Sequence, residues 1–162
     1  MIATLFSALT FVAVIGSGLA AGLFFIFSNT IMASFARLPA AQGIAAMQQI
    51  NLTIINPAFM AVFMGMVLLS LVLGARALLG WSEAGATWLL AGAVAYLVGA
   101  FLVTVVFNVP LNDQLAAVDP ASTEGAALWA AYLRDWLPWN HVRTVACVVS
   151  LGAFVMAFAR AL

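Results

Sequence analysis

The sequence predicts an all-α protein: a four-helix transmembrane bundle with two longer connections on one face, each carrying a short interfacial helix. Three observations predict it. First, 67% of the 162 residues are hydrophobic and 6% are charged, where a soluble domain carries about 25% charged residues. Second, apolar character gathers in four spans, about residues 2–28, 57–79, 86–107 and 140–162. Each is close to the roughly 20 residues a helix needs to cross a bilayer. Third, the breaks between spans hold most of the prolines and asparagines and every acidic residue. Residues 1–162 read as a single integral membrane domain with the lipid bilayer as its first partner.

Composition also excludes classes. Net charge is zero, lysine is absent and there is no basic run, so a nucleic-acid partner has no electrostatic footprint. One cysteine, Cys147, excludes an internal disulfide or a thiolate metal cluster and reads as packing. The opening Met1–Phe6 lacks the positive residues of a secretory leader. Small residues between Gly16 and Gly22 resemble a cleavage site, but apolar character runs past them, so the segment is expected to stay as a helix.

The first span keeps its apolar character to Phe35, longer than a bilayer requires, so its far end should project into water. Gly18 and Gly22 form a Gly-x-x-x-Gly pair expected to pack inside the bundle. Arg37-Leu38-Pro39 breaks this helix. A short segment from Gly43 to Asn56 follows, in which Gln49, Thr53 and Asn56 share one helical stripe. That stripe reads as a solvated face or as the hydrogen-bonding wall of a cavity. Asn56-Pro57 marks a start or kink. The second span ends at Arg76, and Gly80–Gly85 is short enough to make spans two and three antiparallel neighbours. Gly92 and Gly99 in the third span suggest a close helix crossing.

Asn108-Val109-Pro110-Leu111-Asn112 is expected to end the third span. Asp119-Pro120 reads as a helix N-cap with proline in the first turn. A short helix to about Leu137 then shows Leu128, Trp129, Tyr132, Leu133 and Trp136 on one face and should lie over the bundle end. Pro138 is expected to stop it before the last span. Parity places both termini and the Gly80–Gly85 turn together, with the termini expected in the cytoplasm.

Every acidic residue falls outside the four spans, which argues against an ion-coupled pump. The polar side chains gather at one membrane level: Asn51 and Asn56, Asn108 and Asn112, then Asn140, His141, Arg143 and Thr144, with Trp136 and Trp139 beside them. A cavity there would be apolar below and hydrogen-bonding above, suited to a flat hydrophobic molecule with a few polar atoms. His141 titrates nearest neutral pH and could take a proton from a weakly acidic substrate. Arg143 and the asparagine amides could stabilise an enolate or phenolate. Two residues apart on a helix is roughly 200° of rotation, so both reach one cavity only if the first turn is irregular or Arg143 bends back. The other reading has His141 capping a helix end and Arg143 reaching headgroups. A single histidine gives no metal site, and a haem with His141 as axial ligand is only weakly motivated.

These residues resemble the anthrone oxygenase-like family of small four-helix membrane proteins. The resemblance covers nearly the whole chain. It rests on Gly22–Ser28, Gly43–Asn51 with Asn56-Pro57, Phe107–Asn112, Trp129, Tyr132, Trp136 and Trp139–Thr144. Fungal relatives oxidise anthrones to anthraquinones without an organic cofactor. Carried over, the resemblance implies His141 as base and Asn108, Asn112, Asn140 and Arg143 as holders of the oxyanion. The implied protein is a cofactor-independent oxygenase of a bacterial inner membrane, acting on an aromatic or quinol-type substrate by deprotonation and reaction with O₂. The alternative is a non-catalytic subunit of a larger membrane complex, a homo-oligomer, or a binder of lipid, quinone or pigment.

Overall fold

The computed structural model describes residues 2–161. Five helices account for the architecture, and no strand occurs among the described residues. Helix α1 runs over Ile2–Ile26 and continues through a π-type turn, Phe27–Ile31, to Phe35. Helix α2 is Ala40–Thr53, α3 is Pro57–Leu79, α4 is Ala86–Ala116 and α5 is Thr123–Ala161. Four of them, all but α2, are long and apolar enough to cross a membrane. The protein is an integral membrane protein in a lipid environment.

Local chemistry sets the boundaries. Asn56 caps α3: its Oδ1 accepts from the Phe59 N–H at 3.0 Å, and Pro57 occupies the first turn, where a missing N–H costs nothing. Ser122, not Asp119, caps α5. Its Oγ accepts from the Gly125 N–H at 2.9 Å, while the Asp119 carboxylate closes a turn on the Ala121 N–H.

Two expected breaks are absent. Asn108-Val109-Pro110 does not end the third long helix, which runs on to Ala116. The π-type turn Thr104–Asn108 precedes the proline, with the Val109 N–H bonded to the Thr104 carbonyl. This widened turn takes up the proline without a break. Nor does Pro138 stop the last helix, which is continuous through it. An interior proline costs about 3 kcal/mol. Here one face of α5 buries Trp129, Tyr132, Trp136, Asn140 and Arg143 on both sides of Pro138. That burial outweighs a single lost hydrogen bond.

Helix α5 packs on α1 and α4, and α3 packs on the same two helices. The Gly80–Gly85 end gathers both ends of the chain. Arg76 lies over the Phe6 ring and pairs with Glu83, and Arg160 lies over Trp88. Gly85, at φ 88°, sits against the Ala157 carbonyl. At this end the helices touch through small residues. A Cβ on Gly92 would lie 2.9 Å from Phe154, and one on Gly99 would strike Ala146. The Gly18–Gly22 pair packs differently from expectation. Nothing lies within 4 Å of a Cβ on Gly22, whereas Gly16 accommodates Met66.

At the opposite end α2 folds back as a roof. Gly43 admits the Trp129 ring, with a Cβ 2.8 Å from it, and Ile44, Met47 and Leu115 are fully enclosed. Gln48 Nε2 donates to the carbonyls of Leu115 and Val118 at 2.8 and 3.1 Å, pinning α2 to the end of α4. The stripe of Gln49, Thr53 and Asn56 is exposed, so it is a solvated face and not a cavity wall.

Candidate functional site

Beneath the α2 roof lies a cavity of about 330 Å³ between α1, α3, α4 and α5. Phe24, Phe27, Phe59, Phe63 and Phe101 give it aromatic walls, and its polar edge consists of Asn51, Thr104, Asn112, Asn140 and Arg143. It contains no carboxylate and no imidazole among its lining residues.

Arg143 heads the polar edge. It is 6% exposed, and the rise along α5 from Arg160 at the other end is about 25 Å. That places the guanidinium just inside a hydrocarbon layer of about 30 Å. Its Nη2 donates to Asn140 Oδ1 at 2.7 Å and its Nη1 to Thr104 Oγ1 at 3.2 Å. The guanidinium carbon sits 4.4 Å from the centre of the Phe24 ring and 5.1 Å from that of Trp136. Among the described residues no acid pairs with it, and its Nε–H has no acceptor.

Insertion scales put an arginine at mid-membrane at about 2.5–3.5 kcal/mol. A ring face returns about 0.5–2 kcal/mol, and a hydrogen bond to a charged group about 1.5–3 kcal/mol. Neutral partners therefore suffice to hold the cation in place, and none of them cancels its charge. The site carries a full positive charge facing an apolar hollow.

Asn140 fixes that cation. It is wholly buried, and its Nδ2 donates to the Phe24 carbonyl and to Ser28 Oγ, each at 2.8 Å. Its Oδ1 is thereby aimed at Arg143. Ser28 also meets Thr144 Oγ1 at 3.0 Å. Two of the three π-type stretches among the described residues supply the matching partners: Ser28 from Phe27–Ile31 and Thr104 from Thr104–Asn108, the third being Ala95–Leu102. Both side chains reach α5 from these turns, and π-type turns are common near functional sites.

A second cluster adjoins the first. Asn112 Oδ1 accepts from Tyr132 Oη at 2.8 Å and from Trp136 Nε1 at 2.9 Å. Asn51 lies on the cavity wall with its Nδ2 buried. Asn51 also lies within reach of the Tyr132 hydroxyl, which leaves Arg143 Nε–H as the donor beside the cavity with no acceptor in the protein.

The residues expected from the sequence divide accordingly. Asn51, Asn112, Trp136, Asn140 and Arg143 line the cavity. Asn56 is exposed and spent on capping α3. Asn108 is fully buried behind the wall, its Nδ2 donating to the Trp136 carbonyl at 3.3 Å. Trp139 lies outside the cavity, its ring stacked on Phe107 at 3.5 Å. His141 is exposed on the outer side of α5 and lines no part of the hollow. The physical reason is the helical rotation between positions 141 and 143: α5 is regular through Pro138, so no loosened first turn brings the imidazole round. Ser28, Thr104, Tyr132 and Phe24 join the site without having been singled out for it. A threonine deep within an apolar span was the visible signal for Thr104. Ser28 and Phe24 gave none beyond their place in the Gly22–Ser28 block of the resemblance.

The fold and site define an all-helical integral membrane protein with an internal, arginine-headed apolar cavity. The sequence profile of the anthrone oxygenase family matches residues 58–153, and the chain belongs to that family. No curated protein and no solved structure matches it.

Proposed function

We propose that this protein is a membrane oxygenase: a four-helix transmembrane bundle, roofed by an interfacial helix, that holds a flat lipophilic aromatic in the cavity under α2. The observation that carries the assignment is Arg143, buried and without an acid, facing phenylalanine walls. Such a cation favours a ligand that carries or develops negative charge on an oxygen. Membership of the anthrone oxygenase family supports the same substrate class.

An anthrone-type substrate fits this arrangement chemically. Its enol tautomer is a phenol, and a guanidinium beside the oxygen stabilises the conjugate base. With no carboxylate or imidazole in the cavity, the released proton passes to water at the polar edge. The anion is electron-rich at the carbon opposite the oxygen, and that carbon reduces O₂. The balance is a CH₂ group plus O₂ giving a carbonyl group plus water. One oxygen atom enters the product, and the other leaves as water with both hydrogens. Asn140 and Thr104 position the guanidinium, while Arg143 and Asn51 contact the substrate oxygen. His141 has no role in this scheme.

The test is oxygen consumption by membranes supplied with anthrone, measured above the rate in empty vesicles. Arg143→Met should lower that excess rate by at least about 100-fold, the scale of losing an oxyanion donor. His141→Ala should stay within about threefold, as expected for an exposed side chain away from the reacting atoms. The reverse pattern would overturn the assignment and restore the imidazole as base. Tight anthrone binding by the wild type with no excess oxygen uptake would leave a pigment- or quinone-binding protein instead.

A further inference from the structure

The cavity has two ways out, and the structure treats them differently. Toward the long-connection surface it is covered except at the α2–α3 corner, where Ile54 and Ile55 line it and Ile55 is 70% exposed. Ile44, Met47 and Leu115 are 0–1% exposed, Gln48 ties α2 to α4, and Trp129, Tyr132 and Trp136 stack beneath, with ring centres 5.5 and 6.0 Å apart. Toward the lipid it is open. Helix α3 packs on α4 between Ala86 and Leu102 but has little contact with residues 104–116. The two helices diverge at the level of the site. The divergence is lined by Met60, Met64, Val105 and Val109, which belong to the cavity and are also 36%, 38%, 47% and 40% exposed. Their outward surface faces hydrocarbon.

We infer that the cavity takes its ligand sideways from the bilayer, through the gap between α3 and residues 104–109 of α4. The substrate is therefore a membrane-dissolved planar aromatic with its polar oxygens on one edge, which enters with that edge leading toward Arg143. This rests on the oxygenase reading for the occupant, while the route stands on the packing. Two methionines at the mouth suit the passage. Their unbranched side chains change rotamer at little cost, and planar ligands of different width can slip between them.

The experiment uses the full-length protein in liposomes and 1,8-dihydroxyanthraquinone, a coloured planar probe that does not consume O₂. Stopped-flow quenching of the protein's tryptophans reads association and dissociation. Wild-type association should scale with the mole fraction of probe in the bilayer at fixed aqueous concentration. Met64→Trp and Val105→Trp, made separately, narrow the gap from either helix. Each should slow both association and dissociation at least tenfold, with Kd changing by less than either rate. Val148→Trp, on an exposed face remote from the cavity, should match the wild type. Unchanged rates in both plugged variants, with normal binding by the wild type, would overturn the lateral route and leave the oxygenase reading intact. No probe binding by the wild type, or binding unchanged by Arg143→Met, would overturn the cavity as the ligand site and the route with it.

Discussion

The two ends of this protein use the same helices to opposite purpose. Toward the Gly80–Gly85 turn, α4 and α5 meet through Gly92 against Phe154 and Gly99 against Ala146. Two of the buried polar groups there pair with each other: Ser17 and Ser150 share a hydrogen bond at 3.2 Å, and Ser150 Oγ donates to the Gly92 carbonyl at 2.9 Å. Toward the α2 roof the same two helices carry Thr104, Asn112, Trp136 and Arg143 around a hollow. The difference does not come from smaller side chains at the roof end, which is the bulkier one. Nor does it come from π-type turns alone, since one of them, Ala95–Leu102, includes Gly99; it comes from α2 and the aromatic rings of Trp129, Tyr132 and Trp136 beneath it. One end is built for close approach. The other spends polar groups on keeping a cation in place and a space open.

The sharpest way to break the contrast is to fill the charge rather than the space. Asn140→Asp keeps the size of the side chain and the acceptor for Arg143 Nη2, and supplies the acid the cavity lining lacks. The new pair is nearly isosteric and should fold, although the donor to the Phe24 carbonyl and Ser28 is lost. Excess oxygen uptake with anthrone should fall about 100-fold, because a neutralised guanidinium no longer favours an anion in the cavity. Preserved activity in a folded Asn140→Asp protein would show that the net charge of the polar edge is irrelevant.

That experiment turns on a feature only half legible in the sequence. Four spans, the Asn56-Pro57 start and the clustering of amides near one membrane level follow from hydropathy and proline placement. The role of Arg143 was visible as a scarce charge beside an apolar span. The side it faces depends on whether Pro138 breaks the helix, which composition leaves undecided. A proline in a long helix is a local cost of a few kcal/mol, and its outcome is set by the tryptophans and Tyr132 that pack against α2. The same nonlocal balance carries α4 through Pro110. With both helices continuous, Arg143 and Asn140 turn inward and His141 turns out. Ser28 and Phe24 stood only in the Gly22–Ser28 block of the family resemblance, because their part is to offer a hydroxyl from the π-turn and a carbonyl from the turn before it, which no propensity marks.

Close approach at the other end is tested by one substitution on two faces. Gly99→Leu drives a branched side chain into Ala146 and should destabilise the protein by about 1–3 kcal/mol, the usual cost of overpacking. Gly22→Leu points into open space and should stay within about 0.5 kcal/mol. Unfolding in mixed micelles of mild detergent and sodium dodecyl sulfate reads both. Equal effects would mean that the small-residue crossing is not what holds α4 against α5.

The smallest expected effect sharpens the contrast from the polar side. Ser150→Ala removes a hydroxyl that is fully buried, accepted by the Gly92 carbonyl and shared with Ser17. Hydrogen bonds between helices in a membrane average about 0.6 kcal/mol, because the separated helices also find partners. The Gly92 carbonyl keeps its own helical bond, so the loss should be of that order, read in the same micelle assay. Oxygen uptake should be unchanged, since Ser150 lies about two turns of α5 from Arg143, on the closed side. A large loss of activity with little loss of stability would mean that the small-residue end transmits its packing to the guanidinium. The two ends would then be one mechanical unit rather than a rigid base beneath an independent site.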